Sequence, residues 1–414
     1  MRITDTAQPV EGKARYLILD FLRGFALLGI CLANFPEFSL YTFLSESDAA
    51  ALPTSAADTI MQYLLYIFVD GKFYTIFSLL FGIGFSIILE NNRRRGADGI
   101  SIFYRRMVLL LVIGFAHLML VWSGDILMLY ALIGMLLPLF LRFKDRGILI
   151  WAILFLALPV VIDSICEAAG VKLSSKLSAW QWLLCDRFGI TEENFAYWLR
   201  DAESYHDMLR FLLMGAVERM TEFVDGNRYF KVLGLFLIGV YIGRNRLFAR
   251  LGSLKPILKK ICVFGLIAGL PLSGVYAWSA MSGKPFGLGI HSLFYFISVY
   301  LTSFGYIAGI CLLYQRNKEA PLWKIVSYPG RMALTNYIGQ SIAGVVIFYG
   351  VGLGFGATTG LIYADVVAAG VFVLETIVSA VWLSRFRFGP LEWIWRCFTY
   401  RRYFPLVKTP SNRV

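Results

Sequence analysis

Residues 15–37 read Arg15-Tyr-Leu-Ile-Leu-Asp20-Phe-Leu-Arg23-Gly24-Phe-Ala-Leu-Leu-Gly29-Ile-Cys-Leu-Ala-Asn34-Phe-Pro-Glu37. The stretch is mainly apolar, and roughly 20 such residues at ~1.5 Å each suffice to cross the hydrocarbon core. It therefore reads as a transmembrane helix. Yet it carries Asp20 and Arg23 near its start and Asn34 and Glu37 near its end. Asp20 and Arg23 are three positions apart, so they share a helix face and can pair. An ionisable residue inside a span is costly unless it is paired or faces a wet or protein-lined cavity. A plain anchor would use leucine at these positions. The stretch predicts a site built among packed helices.

The rest of the chain fits that reading. Of its 414 residues 58% are hydrophobic and only 16% charged, whereas soluble domains carry about a quarter charged residues. Mean hydropathy is +0.66. The expected fold is all-α: a polytopic membrane helix bundle forming a single domain over 1–414. Ten candidate spans fall at 16–38, 60–89, 104–122, 125–141, 147–168, 229–243, 257–280, 289–314, 332–350 and 361–384. Arg2, Lys13 and Arg15 precede the first span, and the loop after it holds Glu46, Asp48 and Asp58 without Lys or Arg. Basic clusters follow the even spans: Arg93–Arg95 with Arg105 and Arg106, Arg142–Arg146, Arg244–Lys260, Arg316–Lys324, and Arg385–Lys408 in the tail. By the positive-inside rule both termini are cytoplasmic. The net charge of +12 is this distribution and not a nucleic-acid footprint. The first span runs into a polytopic array, so it is expected to be retained rather than cleaved as a signal peptide. The six cysteines are scattered without C-x-x-C, so no metal is expected. Walker A, H-E-x-x-H and G-x-S-x-G motifs are all absent, which excludes a self-contained ATP-driven pump and a zincin.

Three segments depart from simple spans. The second is too long for one crossing and holds Asp70-Gly71-Lys72 part-way, which predicts a break or a tilt. The extracytoplasmic segment 170–228 contains apolar residues at helical spacing over 206–224, an amphipathic helix on the outer surface or capping the bundle. Residues 389–396, Gly389-Pro-Leu-Glu-Trp-Ile-Trp-Arg396, are expected at the cytoplasmic interface, where Trp and Arg anchor well.

The polar residues within spans are the candidates for chemistry. The turn at Ser123-Gly124 is so short that spans 3 and 4 must be antiparallel neighbours, which brings His117 near Asp125. An imidazole oriented by a carboxylate is a general-base pattern. Asp20, Arg23, Asp70 and Lys72 either tie spans 1 and 2 together or supply Arg23 and Lys72 to a donor's phosphates, with Gly24 and Gly71 letting backbone approach. Asn336 and Gln340 share a face after Arg331, as interhelical bonds or cavity lining. Asp163 and Glu375 stand within later spans. His206 and His291 are expected to make ordinary polar contacts. A faint echo links Gly82-Ile-Gly84 with Gly239-Val-Tyr-Ile-Gly243.

Several of these motifs together resemble the YeiB-like family of bacterial membrane proteins. They are Arg15-x4-Asp20-x2-Arg23-Gly24, Asp70-Gly-Lys-Phe-Tyr-Thr-Ile-Phe-Ser-Leu-Leu-Phe-Gly-Ile-Gly84, Gly114-Phe-Ala-His117, Trp122-x-Gly-Asp125, Gly330-Arg331-Met-Ala-Leu-Thr335-Asn336-Tyr337-x2-Gln340-Ser341 and Gly389-Pro-Leu-Glu392-Trp393-x-Trp-Arg396. Through its opening motif that family is similar to transmembrane acyltransferases, including heparan-alpha-glucosaminide N-acetyltransferase. The resemblance implies a multi-pass protein of the bacterial inner membrane. It would move an acyl group from cytosolic acyl-CoA or acetyl-CoA to an extracytoplasmic glycan or small-molecule acceptor. Asp20, Arg23, Lys72 and Arg331 would form the donor site. His117, oriented by Asp125 or Glu37, would be the base, and Asn34 or a helix terminus would stabilise the oxyanion. The O-acyltransferase branch carries histidine where this chain has Asn34. The heparan-type branch has its histidine in the following loop, and residues 35–58 contain none. The bilayer and the acceptor are the expected partners, a homodimer is admitted, and nucleic acid is not expected. The alternatives are a secondary transporter with Asp70, His117, Asp125 and Glu375 as an ion relay, or a non-catalytic scaffold.

Overall fold

The computed structural model describes residues 16–408. Arg2, Lys13 and Arg15 lie outside the described residues. Helix α1 (Leu17–Phe38) is the first span. A short α2 (Glu46–Ala51) leads to α3 (Ser55–Phe68) and α4 (Lys72–Arg94). Helices α5 (Gly99–Leu120) and α6 (Leu127–Gly134) flank the tight turn. Then come α7 (Asp145–Ala169), α8 (Ser175–Phe188) and α9 (Tyr205–Asp225), and α10 (Arg228–Arg244). Helices α11 (Lys255–Met281) and α12 (Gly287–Arg316) form a hairpin. The chain closes with α13 (Pro321–Arg331), α14 (Ala333–Phe348), α15 (Leu361–Arg385) and α16 (Pro390–Tyr400). Among the described residues no strand forms beyond one isolated bridge, Phe386 to Val407.

Among the described residues seven helical segments are long and apolar enough to cross a membrane, with Ser55–Arg94 counted as one. They correspond to seven of the ten expected spans. The other three are short: Leu127–Phe140 and Ala333–Phe348, and the 17-residue α10. Helix α10 is enclosed, with Val232, Leu235, Phe236 and Leu237 fully buried.

Helix α1 sits at the centre and packs on α4, α13, α14 and α15. Ala26, Leu27, Cys31, Phe35 and Phe38 are fully buried, as befits a helix apolar all round. The peripheral helices instead turn apolar side chains outward: Val112 and Phe115 on α5, Phe264 and Ile267 on α11, Val366 and Leu374 on α15. An apolar surface this extensive needs lipid around it.

The second span is broken, as its length and its Asp-Gly-Lys sequence predict. Gly71 takes φ +74°, a left-handed conformation that only glycine adopts without strain. The break leaves the last carbonyls of α3 without intrahelical partners. Lys72, fully buried, donates its ammonium to the Tyr66 carbonyl at 2.6 Å and caps that end. The faint glycine echo is a contact: a Cβ on Gly82 would lie 2.1 Å from Phe236 O, and one on Gly239 2.2 Å from Leu79 O. Small residues here let α4 and α10 meet backbone to backbone. On the outer side α9 caps the bundle. Its Tyr205 hydroxyl donates to Leu120 O at 2.5 Å and its Arg219 Nε to Ser123 O at 3.0 Å.

Candidate functional site

One cavity of about 820 Å³ runs through the bundle from the Asp20 end of α1 to the Glu37 end. The Asp20 end is the one that the positive-inside rule expects on the cytoplasmic side.

That end is a basic mouth. Arg23 Nη1 donates to Asp20 Oδ1 at 2.8 Å; Asp20 is 3% exposed while Arg23, at 27%, opens into the cavity. Helix α13 crosses α1 here in direct backbone contact. A Cβ on Gly24 would stand 1.9 Å from Val326 O, and a Cβ on Gly330 1.9 Å from Asp20 O. Gly24 therefore serves a helix crossing and not, as expected, a ligand's approach. The same crossing sets Arg331, next to Gly330, at the mouth. Arg106 and Arg396 complete it. The Arg106 guanidinium lies 3.6 Å over the Trp395 ring, and Trp395 Nε1 donates to Arg106 O at 3.0 Å. Arg396 lies 4.5 Å over Phe388. Trp395 and Arg396 thus face the cavity. Glu392 of the same motif caps α14, accepting from Leu334 N at 2.7 Å and Thr335 N at 3.0 Å. Four guanidiniums facing one space beside Asp20 and Glu392 make an anion site, since arginine forks match phosphate geometry.

The middle of the cavity is lined mainly by Ala33, Phe77, Phe81, Phe85, Met107 and Leu110, with Asn34, Tyr130 and Tyr337 beyond. At the outer end Glu37 is 27% exposed and lies 3.6 Å from Arg219. Arg219, itself 7% exposed, also pairs with Glu222. One turn earlier on α9, burial together with Glu222 and Glu37 pushes the Glu218 carboxyl up to about 7. A side arm holds Asp70, Asp163, Lys231, Tyr276, His291 and Tyr295. There Tyr276 OH donates to Asp70 at 2.7 Å, Asn227 to Asp163 at 2.8 Å, and His291 Nδ1 meets Ser279 Oγ at 3.0 Å.

The expected His117–Asp125 pair forms, at 2.9 Å from Nδ1 to Oδ1. A third member joins it: Ser341 Oγ is 2.9 Å from Nε2. Asp125 also accepts Met128 N–H at 2.8 Å. Ser341 Oγ also donates to Tyr337 O at 3.3 Å. Ser341, His117 and Asp125 stand in the serine–imidazole–carboxylate order of a nucleophilic triad. However, His117, Asp125 and Ser341 are all buried to 2% or less and none lines the cavity; Tyr337 does, its ring 5.3 Å from the imidazole. The triad ties the α5–α6 turn to α14 behind Tyr337.

Of the residues singled out from sequence, Asp20, Arg23, Asn34, Glu37, Asp70, Asp163, His291 and Arg331 line the cavity. Lys72 does not: its ammonium caps α3, 5.7 Å over the Tyr276 ring. Nor do the four groups of an ion relay assemble there. Glu375 takes a bond from Gln340 at 2.9 Å, and of Asp70, His117, Asp125 and Glu375 only Asp70 lines the cavity. Sequence reasoning missed Arg106, Arg396, Arg219 and Ser341. Arg331, Ser341 and Arg396 all sit in the quoted motifs, which was the available signal.

The chain is 30% identical over 404 residues to the "Uncharacterized 39.9 kDa protein in amylase 3'region" of Bacillus acidopullulyticus, covering 96% of this chain and 98% of that relative. Residues 242–402 match the family described as "Protein of unknown function (DUF418)". The chain belongs to the DUF418, YeiB-like family. Other DUF418 relatives are YxaH of Bacillus subtilis (strain 168), 29% identical over 97% of this chain and 98% of the relative, and YeiB of Escherichia coli (strain K12), 27% identical over 96% and 100%. The DUF418 match spans α11 to α16 and so includes Arg331 and Arg396, while α1 with Asp20 and Arg23 is covered by the full-length relatives.

Proposed function

We propose that the chain is an acyltransferase of the bacterial inner membrane, moving an acyl group from cytosolic acyl-CoA to an extracytoplasmic glycan or small-molecule acceptor. The observation that carries this reading is the single cavity joining a four-arginine mouth to a carboxylate-bearing outer chamber. Arg23, Arg106, Arg331 and Arg396 suit the donor's phosphates. The apolar middle suits a thin, mainly neutral pantetheine arm, and it keeps water from the thioester. At the outer end Glu37 would take the proton from the acceptor's hydroxyl or amine as it attacks the thioester carbonyl. The amide N–H of Asn34 would donate to the carbonyl oxygen as it gains charge. Collapse expels the CoA thiolate, which takes the proton held by Glu37 and returns that group to its carboxylate, so the proton count balances. His117 supports Tyr337 and Asp125 from behind the cavity wall, and Glu37 replaces it as the group presented to the acceptor.

The test is direct. The purified chain in nanodiscs is titrated with acetyl-CoA and with dephospho-CoA. A melting temperature that rises with acetyl-CoA, and less with dephospho-CoA, is the expected result, because a ligand of the folded state stabilises it. Proteoliposomes loaded with radiolabelled acetyl-CoA should then label acceptors outside. No response to either CoA, together with uptake of a small solute, would replace the enzyme with a transporter.

A further inference from the structure

Helix α5 carries an exposed apolar stripe, Tyr104, Val108, Val112, Phe115 and Leu120, which marks its lipid-facing side. The stripe ends at the first turn of α9, where Tyr205 bonds to Leu120 O. Beside that junction a groove of about 460 Å³ opens between α8 and α9. Arg187, Phe188, His206, Leu209, Arg210 and Leu213 line it. On α9, His206, Leu209, Arg210 and Leu213 follow helical spacing and share one face. On α8, Leu183 precedes Arg187 by one turn and Trp180 by two; they are 68% and 54% exposed. Exposed Trp and Leu beside cations is the signature of a helix lying in the membrane interface.

The groove thus has an apolar floor of Phe188, Leu209 and Leu213 and a rim of Arg187, Arg210 and the His206 imidazole. Two carboxylates also stand on that rim: Asp207 accepts from Ser204 Oγ at 2.6 Å and pairs with Arg210 at 3.3 Å, while Asp186 is exposed beside Arg187. Among the described residues Arg187 makes no ion pair, so its guanidinium is the one left for an anion. We propose that this groove binds an anionic phospholipid of the extracytoplasmic leaflet. Its phosphate sits between Arg187 and Arg210, and one acyl chain lies down the α5 stripe. The unpaired Arg187 guanidinium favours a phosphate-bearing occupant and continuity with the lipid-facing stripe favours a lipid, where a second protein copy would need only the Trp180–Leu183 face. The site is separate from the central cavity, and it stands whatever the cavity's activity.

Native mass spectrometry of the delipidated full chain tests it. Phosphatidylglycerol and phosphatidylcholine of matched chain length are titrated against the wild type and against the double variant Arg187→Gln, Arg210→Gln. Equal melting temperatures in detergent alone establish that the variant is folded; if they differ, the single variants are used. Phosphatidylglycerol should form one-lipid adducts at lower concentration than phosphatidylcholine, and the double substitution should raise that concentration roughly thirtyfold, with phosphatidylcholine unaffected. Equal binding of the two lipids, or an unweakened double variant, overturns the proposal. So does full displacement of the lipid by an equal concentration of inorganic phosphate, or a two-chain species with no lipid preference.

Discussion

Replacing Gly24 by alanine adds a single methyl group at the point where α13 crosses α1. The added Cβ would lie 1.9 Å from the Val326 carbonyl oxygen, while ordinary van der Waals contact begins at 3.4 Å, so the backbones must part by about 1.5 Å. Neither partner is a flexible side chain, and no rotamer can absorb the clash. Overpacking of this kind costs about 1–3 kcal/mol. The separation also carries Arg331 away from Arg23, and misplacement on the order of 1 Å in a positioned site costs up to about a hundredfold. Two readouts follow: a lowered melting temperature in nanodiscs, and acetyl-CoA affinity weakened by roughly ten- to hundredfold. Gly370→Ala is the control, because nothing lies within 4 Å of a Cβ there, so it should melt no lower than wild type. A Gly24→Ala protein that melts and binds acetyl-CoA like wild type would show that the α1–α13 crossing does not set the mouth.

Other expectations follow from the same contacts. Lys72→Met should destabilise the chain by about 1–3 kcal/mol, by leaving the buried Tyr66 carbonyl without a partner, while acetyl-CoA affinity in the surviving folded protein stays unchanged. Glu37→Gln should abolish acyl transfer with acetyl-CoA binding intact; transfer at the wild-type rate would remove Glu37 as the base. His117→Gln should instead lower the melting temperature, with transfer per folded molecule falling far less than in Glu37→Gln. Glu218 titrates near 7 in the folded chain, above its ordinary 4.5, so between these values the folded state holds the proton more tightly. Stability should therefore fall as pH rises from about 4.5 to 7. Glu218→Gln should flatten that slope in melts taken across this range, and an unchanged slope would assign it to another group.

The membrane class, the Asp20–Arg23 pair, the break at Asp70-Gly71-Lys72 and the His117–Asp125 pair were all legible, because each depends on composition or on neighbours close along the chain. Three positions on a helix or one tight turn leave little freedom. What stayed hidden depends on distant partners. Arg106 looked like one more positive flank, yet its carbonyl takes a bond from Trp395, 289 residues away. Gly24 looked free to admit a ligand, because its real neighbour, Val326, belongs to a helix whose docking no local pattern announces. Lys72 looked like a phosphate ligand for the same reason: a break is visible in sequence, but the group that satisfies its exposed carbonyls is not.

The cavity also has an electrical consequence. It lies along the direction in which the membrane voltage falls, and carrying one elementary charge through 100 mV changes the energy by about 2.3 kcal/mol. A donor whose phosphates stay among Arg23, Arg106, Arg331 and Arg396 keeps its charge at the edge of that field, and only an uncharged acyl group need pass Phe77, Phe81 and Phe85. Transfer along this route is electrically silent, so its rate should not respond to a potassium diffusion potential imposed across the vesicle.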